Sequence, residues 1–127
     1  MLHINKDKRG RLISINDILN QIPFRVKRFM HISDVPEGET RGYHAHRTNE
    51  QLLLCFSGEV SVKTINKNSQ GELEEKIHEL KTGDFLYMPP MTWGEQTYHN
   101  DAVLHVLCSK KYNEDDYVRD YEEFKNN

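Results

Sequence analysis

Cysteine is scarce in this 127-residue chain: there are two, Cys55 and Cys108, each inside an apolar run (Leu52 to Phe56 and Val103 to Cys108). Neither belongs to a CxxC pair, so neither a structural zinc site nor a disulfide framework is indicated, and both read as small buried hydrophobes. Long apolar runs are also missing. No segment reaches the length a membrane helix needs, and Met1 to Lys6 has no signal-peptide core. A cytoplasmic chain with no membrane partner is expected. Charge of one sign is missing as well. Seventeen Lys and Arg against 20 Asp and Glu leave a formal net of −3. Without a basic field, nucleic acid is not an expected partner. There is no internal repeat or low-complexity tract, and the length suits one domain over 1–127.

What is present is alternation with a period of two, the mark of half-buried strands. Asp7 to Ile15 reads as a turn and a short strand, and Ile15, Ile18, Leu19 and Ile22 fall at helical spacing before Pro23. From Phe24 to Ile32, Val26, Arg28, Met30 and Ile32 share one face while Lys27, Phe29 and His31 share the other. Leu52 to Phe56 has the continuous apolar character of a strand covered on both sides. A tight turn at Ser57-Gly58-Glu59 leads to an alternating strand, Val60 to Ile65, and a polar hairpin loop follows over 66–71. Strands are expected over 73–80, 85–88, 93–99 and 102–109, with Asn100-Asp101 as the last turn and Pro89-Pro90 at a strand end. The period changes over 112–127. Tyr117, Tyr121 and Phe124 lie at i, i+4 and i+7 behind Asn113 and three acids, which predicts a helix packing an aromatic stripe on the sheets. Short strands with Gly, Pro, Asn and Asp between them point to an antiparallel sandwich or barrel.

The most informative stretch is Gly38-Glu39-Thr40-Arg41-Gly42-Tyr43-His44-Ala45-His46. Two histidines one residue apart in an extended segment project from the same face. Such a pair can bind a metal, move protons or hold a hydrogen-bond network. With Gly38 six positions before His44 and Gly58 beyond, the stretch resembles the first signature motif of the cupins. That resemblance implies an all-β cupin jelly-roll, an antiparallel β-barrel or sandwich, here with a short C-terminal helix. The cupin pattern has four metal-ligand positions, two of them the histidines. The carboxylate position, seven before Gly58, is Gln51, and the third histidine position, five beyond Pro89, is Gly94. An amide is a poor ligand for a divalent ion and glycine offers none, so no metal is expected. Glu50 would enter only with a slipped register, and His99 or His105 only by turning inward.

The resemblance extends further. Asp7-x-Arg9-Gly10-x-Leu12, Ile22-Pro23-Phe24-x-Val26-Lys27-Arg28, Arg41-Gly42-Tyr43-His44-Ala45-His46 and Glu50-Gln51 form an ordered set. Leu86-Tyr87 through Pro90-x-x-Trp93 and Tyr112-x-Glu114-x-Asp116-Tyr117-Val118-Arg119-x-Tyr121 complete it. The set is similar to the nucleotide-linked sugar 3,4-ketoisomerases, the WxcM-like cupins. The resemblance implies a thymidine-diphosphate-linked 4-keto-6-deoxyhexose as substrate, transfer of its carbonyl to C3, and neither metal nor cofactor. It implies His44 as the base that removes the C3 proton, with His46 assisting transfer between the oxygens or onto C4. Arg9, Arg28 and Arg41 match family arginines, whose donor forks suit diphosphate or sugar oxygens. Tyr43, Gln51 and Trp93 belong to the same expected substrate-binding set, and so does His31 as a replacement donor. A homodimer with exchanged strands is implied too. This chain departs from the pattern at Gly94, where relatives have histidine, and at Phe29-Met30-His31, where they carry tyrosines. Those departures leave two other readings open, a non-catalytic sugar-nucleotide-binding cupin and a metal-dependent cupin enzyme. The sugar-nucleotide 3,5-epimerases share barrel and substrate, but their separate His–Asp pairing is not visible around this motif.

Overall fold

The computed structural model describes residues 1–127, except for the side chain of Asp17. The chain opens with a hairpin, β1 (His3–Asp7) and β2 (Gly10–Ser14), followed by a single helical turn, α1 (Asn16–Leu19). Seven strands follow: β3 (Arg28–Ile32), β4 (Thr40–His46), β5 (Gln51–Lys67), β6 (Leu73–Lys81), β7 (Phe85–Met88), β8 (Trp93–Cys108) and β9 (Tyr117–Val118). The short helix α2 (Tyr121–Lys125) ends the chain.

All strand pairing is antiparallel, and β5 and β8 form the spine. Their N- and C-terminal halves respectively, with β7 and β3 on either side, make one sheet. Their other halves, with β6 on one side and β4 then β9 on the other, make a second. The path β6-β5-β8-β4-β9 has two ends, so the sheets do not close into a barrel. They face one another across one core that draws Leu53, Cys55, Leu104 and Val106 from the first and Val60, Val62, Leu80 and Tyr98 from the second.

The two tight turns expected at 57–59 and 100–101 are bulges inside continuous strands instead. Strand pairing continues past both places. The extra residues are taken up by left-handed backbone at Gly58, Asn100 and Asp101 and by register shifts around Ser57. The inward residues of β5 change from odd (Leu53, Cys55) to even (Val60, Val62) across this point, as a bulge requires.

Outer layers explain the rest of the apolar sequence. Leu52 and Leu54, on the outside of the first sheet, are covered by Leu2, Ile18 and the segment around Ile22 and Phe24. That is why 52–56 reads as apolar on both faces. On the outside of the second sheet, Ala45, Ile65 and Trp93 are covered by Val118 and Phe124. The C-terminal tail is not one helix. Asn113 caps a 3-10 turn, Glu114–Asp116, then β9 pairs with β4, and α2 starts only after the Asp120 cap. Tyr121 and Phe124 do pack on Trp93, with ring centroids 5.1 and 5.6 Å away. Tyr117 does not join them. Pairing to β4 turns its ring toward the histidines.

Candidate active site

Between the two sheets lies a cleft of about 490 Å³, within the size range of small-ligand sites. β3 contributes Arg28, Met30 and Ile32 to its wall, β4 contributes Arg41, Tyr43 and His44, and β5 contributes Gln51. The β3 set follows from strand alternation, whereas the adjacent Tyr43 and His44 of β4 both reach the cleft because the strand bulges there. Gln96 from β8 and Tyr117 and Arg119 from the tail complete the polar lining. Three arginines face this space, and among the described residues no carboxylate lines it.

Local strain aims the histidines. β4 bulges between Gly42 and His44, with Gly42 at φ 108° and Tyr43 at φ 61°. A side chain at Gly42 would meet the Gly94 carbonyl oxygen at 2.7 Å, so only glycine lets β4 approach β8 this closely. A bulky residue held at positive φ, as Tyr43 is, stores strain of a kind that gathers at functional sites. Past the bulge, His44 and His46 share a face, their rings edge to face with centroids 5.0 Å apart. Tyr117 lies against both, 5.0 Å from His44 and 4.3 Å from His46.

The two rings differ in access and partners. His44 lines the cleft, and its Nδ1 is 3.2 Å from the Gly42 carbonyl oxygen. A carbonyl only accepts, so Nδ1 carries the hydrogen and the neutral ring has its lone pair on Nε2. Burial, the main influence, makes His44 less basic than an ordinary histidine. His46 is only 6 % exposed and sits behind His44 and Tyr117. Its Nδ1 lies 3.7 Å from Asp116 Oδ2, and its Nε2 is buried without a partner. Burial, then the neighbouring His44, push its pKa down to about 4 despite the opposing pull of Asp116. A His–Asp pairing is therefore present, on His46, where the sequence alone shows none.

A stability prediction follows from His46. In the unfolded chain the histidine titrates near 6.5, and in the fold near 4. Between these values the unfolded state binds more protons, so stability is lost as pH falls from about 6.5 to about 4 and the loss is complete below. The shift corresponds to about 3 kcal/mol. Urea midpoints of wild type and His46→Gln, compared at pH 7.5 and pH 4.5, should show a smaller acid loss in the variant. Equal losses would contradict a neutral buried His46.

Several expected substrate-binding residues are elsewhere. Trp93 is 3 % exposed in the outer cluster with Phe124, and its indole N–H donates to Glu95 Oε2 at 3.0 Å. It is a packing residue because its strand position faces the tail. His31 points out of the other side of β3 from Arg28 and Met30, where its Nδ1 meets His105 Nε2 at 2.8 Å. Arg9, its side chain 84 % exposed, is held by Asp7 on the β1–β2 turn and does not line the cleft. Conversely, Tyr117, Arg119 and Gln96 line the cleft although the sequence motifs do not mark them as site residues. The signal for the first two is Tyr117-Val118-Arg119, a polar–apolar–polar alternation that belongs to a strand, overlaid on the helical spacing of Tyr117, Tyr121 and Phe124.

The residues present do not fit a cupin metal. At Gly94 the space a side chain would take is filled by the end of Met88, whose Cε would be 2.8 Å from a Cβ there. Gln51 Nε2 donates to Cys108 Sγ at 3.7 Å. Glu50 accepts from the Tyr87 hydroxyl, His99 is bound to Glu37, and His105 faces out with His31. No group of three ligating side chains forms among the described residues.

The family described as FdtA, WxcM-like, C-terminal matches residues 1–127. This chain belongs to it. A relative in this WxcM-like family is the TDP-4-oxo-6-deoxy-α-D-glucose 3,4-oxoisomerase of Aneurinibacillus thermoaerophilus, 38 % identical over 120 residues, which are 94 % of this chain and 83 % of that protein. Among solved structures, a sugar 3,4-ketoisomerase of Thermoanaerobacterium thermosaccharolyticum in complex with TDP superposes with a TM-score of 0.81. It is 35 % identical and covers 98 % of this chain and 88 % of its own. A TDP-quinovose 3,4-ketoisomerase of Campylobacter jejuni gives a TM-score of 0.79 at 33 % identity, covering 99 % and 94 %. The WxcM-like fold thus accounts for nearly the whole chain.

Proposed function

We propose that this chain is a 3,4-ketoisomerase of a dTDP-linked 4-keto-6-deoxyhexose, acting through its own side chains in deoxysugar biosynthesis. The observation that carries the reading is a neutral His44 whose free Nε2 opens into a cleft lined by arginines. His44 Nε2 takes the C3 proton, the C3–H electrons form a C3=C4 double bond, and the C4 carbonyl oxygen gains the charge. Arg28 and Arg41 are the cleft groups suited to offset that charge and to hold the diphosphate. Moving the O3 hydrogen to O4 and returning a proton to C4 leaves a ketone at C3. His46 serves these transfers from behind His44 and Tyr117. Atoms and electrons balance without an external oxidant. In heavy water the protein should place deuterium on the hexose and yield the rearranged ketone. Binding of the sugar nucleotide without exchange would favour a non-catalytic binding cupin instead.

A homodimer with exchanged strands is part of the proposal. The β1–β2 hairpin forms a two-stranded sheet of its own, a unit with little stability by itself. Leu12 in that hairpin is exposed, and so are Leu19, Val26 and Phe29. A second copy covering them would carry Arg9 toward a neighbouring cleft. Sedimentation should find a particle of twice the 15.0 kDa chain mass, and a monomer at micromolar concentration would refute it. The cytoplasm is the proposed compartment, in keeping with two free, buried cysteines.

A further inference from the structure

We infer that Asp116 is a positioning residue: it keeps the hydrogen of His46 on Nδ1, so that the Nε2 lone pair stays directed into the protein beside His44 and Tyr117. The inference rests on the ketoisomerase reading for its effect on turnover but not for its effect on the ring.

The carboxylate is built into place. Asp116 Oδ1 accepts from the Thr48 backbone N–H at 2.9 Å and from the Thr48 hydroxyl at 2.7 Å. Oδ2 accepts from the Asn49 N–H at 3.0 Å. All three donors come from the residues that directly follow His46 and Arg47, and the Arg47 N–H donates to the Asp116 carbonyl at 2.8 Å. The aspartate is thereby clamped to the strand that carries the ring it faces. Oδ2 then stands 3.7 Å from His46 Nδ1. That is longer than a hydrogen bond, and a hollow of about 10 Å³ touches both residues together with Asn49 and Asn113. A volume of about one water, with several polar groups around it, suits a bridging molecule. Across either a direct or a bridged contact, the negative charge of the carboxylate favours hydrogen on the ring nitrogen that faces it, and so favours the Nδ1–H tautomer.

The second observation is on the far side of the ring. Nε2 has no partner and no solvent, on a residue that is otherwise packed by rings. A buried polar atom left unpaired costs free energy and calls for an explanation. A lone pair kept ready to receive a proton explains it, whereas a plain loop clamp does not require the atom to be bare. The groups that act on His46 are His44, Arg28 and Arg119, which oppose its protonation, and Asp116, which favours it. Asp116 is thus the acidic group that supports a transient imidazolium while a proton passes through. An aspartate orienting a histidine in this way is a general device of proton-transfer sites.

The test is the nitrogen spectrum of the ¹⁵N-labelled full chain at pH 7. Wild-type His46 should be neutral with hydrogen on Nδ1. Asp116→Asn should shift the ring to the other tautomer or to a mixture, and lower kcat about 100-fold with KM within about threefold. Thr48→Val, which loosens the clamp but keeps the charge, should keep the tautomer and lose about tenfold or less. Hydrogen on Nε2 in the wild type would overturn the inference, and this measurement needs no variant to fold. An unchanged tautomer in Asp116→Asn, or a changed tautomer with unchanged kcat, would overturn it as well. If the wild type turns over no keto sugar, the functional reading fails while the tautomer result still decides the role of Asp116.

Discussion

His44→Asn is expected to lower kcat by about a thousandfold while leaving KM within a few-fold. A positioned general base contributes about 10²- to 10⁴-fold, and His44 is the ring in this chain with both an open face on the cleft and its Nε2 lone pair free. Asparagine keeps a polar group of similar reach but has no basic nitrogen, so binding through Arg28 and Arg41 should survive while proton abstraction does not. The variant should also stop deuterium entry at the hexose. His46→Asn should be the milder of the two, because His46 is set behind His44 and acts on protons already moved. Equal loss in both, or deuterium entry undiminished in His44→Asn, would move the base to another group. Tyr117, whose ring touches both histidines and whose oxygen lies 3.3 Å from the donating Arg28 Nη1, would then be the next residue to replace.

The sequence made the β class, the paired faces of β3 and the same-side placement of His44 and His46 readable, because each depends on a period of two within one strand. Arg28 and Met30 fall on the cleft side, and Phe29 and His31 on the other, as alternation requires. The family pattern nevertheless assigns His31 to the site, as a replacement for a donor missing elsewhere. Its partner is His105 across the β3–β8 ladder, and that register is a tertiary fact. Only its motif assigns Trp93 to the site. Its burial depends on α2, whose course depends in turn on where β9 pairs. Tyr117 shows the limit most clearly. Asp116 and Tyr117 carry the sequence signs of a helix start, yet two residues of pairing with β4 outweigh a local periodicity that only Tyr121 and Phe124 obey. The His46–Asp116 contact spans 70 residues and leaves no local trace.

Gly58→Ala is expected to cost about 3 kcal/mol, a large share of the stability of a typical domain of this size. Two penalties combine. The residue sits at φ 66°, where an L side chain costs about 1 to 2 kcal/mol. A Cβ there would also come within 2.6 Å of the carbonyl oxygens of His99 and Asn100 and 2.7 Å from Ala102 Cα. These are backbone atoms of the β8 bulge, so no side-chain rotation relieves the clash, and overpacking of this kind costs about 1 to 3 kcal/mol. The melting temperature should fall by about 10 °C. Gly71→Ala provides the control. That glycine has a similar φ of 80° but nothing within 4 Å of a Cβ, so it should lose only the conformational part, about 1 kcal/mol. The difference between the two variants in urea measures how tightly the β5 and β8 bulges nest. Since those bulges bend both long strands from one sheet into the other, the same difference reports on the contact that holds the cleft between Gln51 and Gln96 in shape. Equal midpoints for the two variants would show that β8 yields at Asn100 and that the bend is not fixed by Gly58.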